Sequence, residues 1–315
     1  MKTTSAAALG AALALVLSSW TAPAAAAPAK PQPSIEGLWA ANFIMNLEAP
    51  AKGAPPLVVP AEEAASVAQA QGQALKTMFG PLDPEVPYLV DATEGLPLVK
   101  GERRSRLVVQ PADGRLPYTP EVRKQVDNLR GPPAKYDNPE ERPALERCLT
   151  GVGEAPITTL AFASNLQILR LKDAVVIHTE YGDEVRVAPI TDTHRPKALW
   201  GRLGDSIAHW EGQTLVVETV GLPDDDRVRL SPTFVVSGEA KVIERFTAVS
   251  DRELLYQFTV IDPKTYAAPW LAEFSWYRTD KPIYEHACHE GNYSLPNVLA
   301  GARYEEARKA GAGGR

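Results

Sequence analysis

The 315-residue chain has little cysteine, no long apolar run and no excess of basic charge, and each scarcity removes a class of protein. Two cysteines cannot build the dense disulfide framework of a small secreted scaffold or a four-cysteine zinc site. No stretch reaches the ~18 consecutive apolar residues that suggest a membrane-spanning helix. With 33 Lys and Arg against 39 Asp and Glu, the net charge is −6, which is not the basic footprint that a nucleic-acid partner demands. The Gly-x-Ser-x-Gly elbow, the P-loop and the dinucleotide fingerprint are missing as well. The sequence therefore implies no nucleic acid, no membrane span and no cofactor.

Proline, by contrast, is plentiful. The 28 prolines outnumber the 22 glycines and separate short apolar runs, so much of the chain is extended or looped. Met1-Lys2 supplies a positive start, Ala6 to Leu17 an apolar run, and Ala22 to Ala27 a small-residue stretch. That is the layout of a secretory signal peptide, with cleavage near Ala26. Residues 1–27 accordingly read as a signal peptide, residues 28–34 as a linker, and the mature protein as periplasmic or secreted. In an oxidising compartment Cys148 and Cys288 read as a disulfide. The rival is a nucleophilic or metal-binding Cys288 between His286 and His289, but a free thiolate is oxidised there.

Residues 35–159 read as a first strand, a helix and a Pro-rich wrapping segment. The strand covers Ile35 to Phe43 and opens on Gly37-x-Trp39. The helix covers Ala61 to Phe79, and a shorter one covers Thr119 to Leu129. Residues 160–294 hold short β-rich runs, including Ala174 to Tyr181, Glu184 to Ile190, Ser206 to Trp210, Gln213 to Val220, Lys241 to Ala248, Glu253 to Ile261, Leu271 to Tyr277 and Ile283 to Cys288. Tight turns at Gly182-Asp183 and Glu211-Gly212 make hairpins of the runs they join. Residues 295–315 read as a C-terminal helix and a flexible tail. The fold class is mainly β, an antiparallel meander that closes into a lipocalin-like barrel or packs as a sandwich, with a few peripheral helices.

Several stretches carry a resemblance: Arg106 to Pro117, Glu146-Arg147-Cys148, Leu203-Gly-Asp-Ser-Ile-Ala-His-Trp-Glu-Gly-Gln-Thr-Leu-Val-Val-Glu218, and Glu285-His-Ala-Cys-His-Glu-Gly-Asn-Tyr293. Together they resemble a large family of secreted bacterial β-rich proteins. The resemblance covers most of the chain after about residue 95. It implies a secreted β-rich domain and carries over no catalytic residue. Gly37-x-Trp39 ahead of a meander is similar to the opening of lipocalin-like barrels.

Among residues that could carry chemistry, His286-x-x-His289-Glu290 lacks the spacing of a zinc-protease helix, so no metal site is assigned. Glu244 shares a strand face with Val242 and Phe246, and a carboxylate on an apolar face needs a partner or shifts its pKa upward. Glu218 sits similarly between Val216 and Val220. With His209 or His289 as partner, these carboxylates are the acid–base candidates, while Arg186, Arg202 or Arg245 would instead neutralise them. Trp210, Trp270 and Trp276, with Arg186 and Arg245, are the ligand-binding candidates, because aromatics in a barrel can line a pocket for an aromatic, lipid or sugar ligand. Two functions follow. One is a secreted small-molecule-binding barrel able to act on its ligand by Glu/His acid–base chemistry, of lyase, isomerase or hydrolase type. The other is a non-catalytic periplasmic structural or carrier protein. They differ in whether Glu218, Glu244 and a His converge on an open cavity.

Overall fold

A computed structural model describes residues 33–41, 46–79, 96–129, 137–142, 144–159, 165–224, 228–230 and 233–312. The signal-peptide segment and most of the linker lie outside the described residues, as does Phe43 of the first strand. The elements are β1 (Gly37–Ala41), α1 (Ala61–Phe79), β2 (Leu98–Val99), β3 (Glu102–Arg103), β4 (Val108–Gln110), α2 (Pro120–Leu129), β5 (Asn165–Arg170), β6 (Ala174–Thr179) and β7 (Glu184–Pro189). After them come β8 (Asp205–Glu211), β9 (Thr214–Val220), β10 (Val228–Leu230), β11 (Thr233–Val235), β12 (Lys241–Ala248), β13 (Glu253–Ile261), β14 (Trp270–Arg278), α3 (Cys288–Gly291) and α4 (Ser294–Ala312).

Nine strands pair in the order β7-β6-β5-β1-β14-β13-β12-β9-β8, every neighbour antiparallel, with β4 added on β14. The sandwich alternative falls away, because the two ends of this path meet. An odd ring cannot close with every pair antiparallel, so one seam must be parallel. That seam joins β7 and β8 through the parallel bridge of Ile190 to Ala208 and the bond from Thr191 N–H to the Ala208 carbonyl, 3.2 Å. A parallel seam requires the chain to return to its starting end between the two strands. Residues 191–204 make that return as a strap with one short 3-10 turn at Lys197–Leu199.

The hairpins arise where the sequence places them. β6 and β7 pair from Ala174 with Pro189 to Thr179 with Glu184, and β8 and β9 from Asp205 with Val220 to Glu211 with Thr214. Gly182 (φ +90) and Gly212 (φ +60) take the left-handed conformations at the turns. The second turn is Gly212-Gln213, one residue later than the sequence suggests. The run from Ile283 to Cys288 differs more: it is irregular chain leading into the single helical turn α3. Its β-rich composition finds no partner, since β14 already pairs with β13 on one side and with β1 and β4 on the other.

Inward residues fill the barrel with Trp39, Leu166, Ile177, Leu215, Val242, Phe246, Tyr256, Phe258, Phe274 and Trp276, all but excluded from water. β7 inverts the usual pattern: Glu184, Arg186 and Ala188 are buried while Val185 and Val187 are exposed. The chain just before β5 also enters the interior. Residues 152–159 are all buried, and the Ile157 N–H donates to the Tyr256 hydroxyl at 2.8 Å inside the barrel. Outside, the Pro-rich segment covers β14, where Arg104 meets Glu273 at 2.9 Å. Glu48 joins that wrap to α2 by accepting from Arg123 and from the Leu116 N–H.

Where the buried segment passes under the β6–β7 turn, Gly151 and Gly182 touch backbone to backbone. A Cβ on Gly182 would lie 2.6 Å from the Gly151 Cα, whereas one on Gly212 would meet nothing within 4 Å. Gly182→Ala is therefore expected to cost more than Gly212→Ala. The second change bears only the left-handed strain of about 1 kcal/mol. Urea denaturation of the two variants measures the difference.

Candidate functional site

A polar cluster in the interior centres on four side chains, with Ser206 bonded to one of them, Thr219, at 2.8 Å. Arg186 on β7 donates to both oxygens of Glu244 on β12, at 2.6 and 2.8 Å, and to Thr219 on β9 at 3.3 Å. Tyr256 on β13 donates to Glu244 at 2.7 Å. Glu244 is 0% exposed. Burial alone would lower the Arg186 pKa, but the facing carboxylate more than offsets it and the net shift is upward. Burial, with the negative charge and hydrogen bond of Glu244, pushes the Tyr256 hydroxyl well above its usual range. Glu244 is thus a neutralised carboxylate in a filled core, and Arg186 is its counter-ion. Part of the space inside the barrel is taken by the chain itself, through the buried residues 152–159.

Glu218 lies on the opposite face of β9, outside the barrel, so the two carboxylates do not converge. Its oxygens lie 3.4 Å from His194 Nε2 and 3.3 Å from Lys241 Nζ. His194, which the sequence reading did not single out, also sits 2.8 Å from Asp205 through Nδ1. Asp205 further accepts from the Arg195 backbone and guanidinium. Burial would raise the Asp205 pKa, but the bonds from Arg195 and His194 outweigh it and hold the carboxyl below its usual value. These contacts rivet the return strap to β8 and β9. His209 is exposed and pairs with Glu211, which also binds Arg245, so neither His209 nor Arg245 faces the interior.

Two of the candidate tryptophans lie in the core. Trp270 and Trp276 are each 1% exposed and stack edge-on or tilted against Phe234, Phe258 and Phe274. Trp210 is partly buried at the upper end of the barrel, with the Arg170 guanidinium 4.7 Å over its ring. Trp39 carries Arg278 at 3.9 Å in the same way. Two guanidinium–indole stacks thus sit at that end.

A concave site lies instead at the lower rim, beside the disulfide. Cys148 and Cys288 are bonded, with Cα atoms 5.8 Å apart. The bridge ties the end of the Pro-rich segment to the start of α3 rather than to a last strand. Along it runs a groove of about 500 Å³, open to solvent. One wall is Arg142, Leu145 and Glu146; the other is His286, Ala287, Asn292 and Ser294; Tyr181, from the β6–β7 turn, closes the floor. The Tyr181 and His286 rings lie tilted against each other with centroids 4.2 Å apart, and burial raises the Tyr181 pKa. Arg142 binds Glu146, and the Asn292 amide donates to the Glu146 carbonyl at 2.7 Å, so the walls also touch directly. A second cleft of about 290 Å³, lined by both cysteines, holds His289. The groove lies where the Glu146–Cys148 and Glu285–Tyr293 stretches meet, a juxtaposition that the cysteine pairing itself implies. Tyr181 and Arg142 carried no comparable signal.

No known family model matches the chain, and no curated protein matches it. Among solved structures, the crystal structure of a mutant of the fluorescent protein UnaG is similar at a TM-score of 0.24 and 12% identity, covering 44% of this chain and 86% of that one. The architecture here rests on the strand pairing, not on that likeness.

Two outcomes test the buried and outer clusters. Glu244→Gln leaves Arg186 uncompensated and is expected to cost about 3–5 kcal/mol in urea denaturation. Replacing both groups, as Arg186→Met with Glu244→Leu, is expected to recover most of that loss. Asp205 contributes stability above the usual carboxylate range and loses it as pH falls through its lowered folded-state value. The stability deficit of Asp205→Asn is therefore expected to be full at neutral pH and to shrink below about pH 4. Thermal unfolding of both proteins across that range checks it.

Proposed function

We propose that the protein is a secreted β-barrel that binds a small molecule in the rim groove beside the disulfide, and that it binds without catalysing a reaction. The groove carries this reading. It is concave, mixes apolar and hydrogen-bonding groups, and is lined by the Tyr181–His286 ring pair, which are the attributes of small-ligand sites. A disulfide and a signal-peptide-like start suit a protein working outside the cytoplasm. The non-catalytic reading is supported by the fate of the acid–base candidates. Glu244 is locked to Arg186, and Glu218 belongs to a cluster that fastens a loop.

Isothermal titration against three ligand chemistries (neutral disaccharides, salicylate and laurate) tests the reading. At least one is expected to bind with one-to-one stoichiometry. Ala287→Trp, which fills the exposed groove without entering the core, is expected to abolish that binding while the far-UV spectrum is unchanged. Cys148→Ser with Cys288→Ser is expected to weaken it by releasing one wall. Binding indifferent to Ala287→Trp, or no binding by any class, would refute a ligand site in this groove.

A further inference from the structure

We propose that the ligand of the rim groove is a neutral saccharide, an assignment that rests on the groove being the binding site. The lining separates the three chemistries that the sequence leaves open. Arg142 and Glu146 form an ion pair across one wall, so each charge there already has its counter-charge. An aromatic carboxylate would have to take Arg142 away from Glu146 and leave that carboxylate facing it, which disfavours anionic ligands. A fatty-acyl chain needs a continuous apolar channel. Here Leu145, Ala287 and Leu295 are interrupted by Tyr181, His286 and Ser294, whose polar atoms an acyl chain would desolvate without replacing their hydrogen bonds.

A sugar ring matches both parts of this surface. Its C–H faces pack on aromatic rings, and the tilted Tyr181–His286 ring pair that lines the groove offers such a surface. Its hydroxyls both donate and accept, as do the Ser294 hydroxyl and the imidazole of His286. The His286 Nδ1 is buried and without a hydrogen-bond partner. An ion pair such as Arg142–Glu146 can also take a neutral hydroxyl on each side without separating its charges. The Tyr181 hydroxyl, like any phenol with a pKa near or above the usual ~10, is protonated at neutral pH and can donate.

The test follows the amides of Ala287 and Gly291 and the side-chain amide of Asn292 by two-dimensional NMR. Neutral disaccharides (cellobiose, maltose, lactose and chitobiose), salicylate and laurate are added separately to the intact disulfide-bonded protein. At least one disaccharide is expected to shift these signals saturably, with salicylate and laurate leaving them in place. Tyr181→Ala is expected to weaken that binding at least about tenfold, the factor that a loss of about 1.4 kcal/mol produces, and Tyr181→Phe to weaken it by less. If salicylate or laurate shifts the groove signals as strongly as any saccharide, the assignment to saccharides is wrong while the binding groove stands. If no compound moves them, both the saccharide and the binding site are overturned. Saccharide binding unchanged by Tyr181→Ala, with the fold intact, also overturns the assignment.

Discussion

The ion pair of Arg186 with Glu244 is the constraint around which the barrel is arranged. Two charges taken wholly out of water must find each other and must satisfy their remaining hydrogen-bonding capacity. Glu244 does so through two guanidinium contacts and Tyr256; Arg186 reaches Thr219 as well but keeps its Nε–H buried without a partner. These groups come from β7, β9, β12 and β13, which stand on both sides of the seam. A slip of one residue in β7 would turn Arg186 outward and leave Glu244 buried with no counter-ion. The pair thereby fixes register in the strand with the weakest apolar signal. It also explains why β7 turns Val185 and Val187 to solvent: the polar residues are wanted inside.

The strap from β7 to β8 answers a second constraint, one of topology. Nine strands impose a parallel seam, and a seam with a single bridge supplies few backbone hydrogen bonds. Asp205 compensates by holding the strap at the foot of β8 through His194 and Arg195, and Glu218 extends the contact to β9. Through these contacts the side chains anchor a loop to a sheet.

The meander, the β6–β7 and β8–β9 hairpins, α1, α2 and the disulfide were legible because each leaves a local signature. Alternating burial along β12 and β13 follows the period of two, and the turn glycines mark the hairpins. Glu244 was legible as an inward carboxylate and Arg186 as a candidate counter-ion for the same reason. Glu218 was not, because Leu215, Val216 and Val217 are all apolar and all buried, leaving the face of β9 undefined by pattern. The entry of residues 152–159 into the barrel was invisible, since an irregular segment has no period to read. The strand expected at residues 283–288 shows the converse, in that a β-rich run forms no strand where every nearby edge is taken. His194 escaped notice because its partners, Asp205 and Glu218, lie 11 and 24 residues away along the chain.

β1 is the keystone of the sheet. It stands between β5 and β14, so strands from the middle and the far end of the chain both wait for a strand near its beginning. The Trp39–Arg278 pairing spans most of the described sequence, a loop whose closure entropy is met only once β14 exists. Completion of the sheet is therefore a late, long-range event. Until it occurs, β5 and β14 each keep a bare edge. The chain remains open to joining another copy of itself for as long as its own first strand is unplaced.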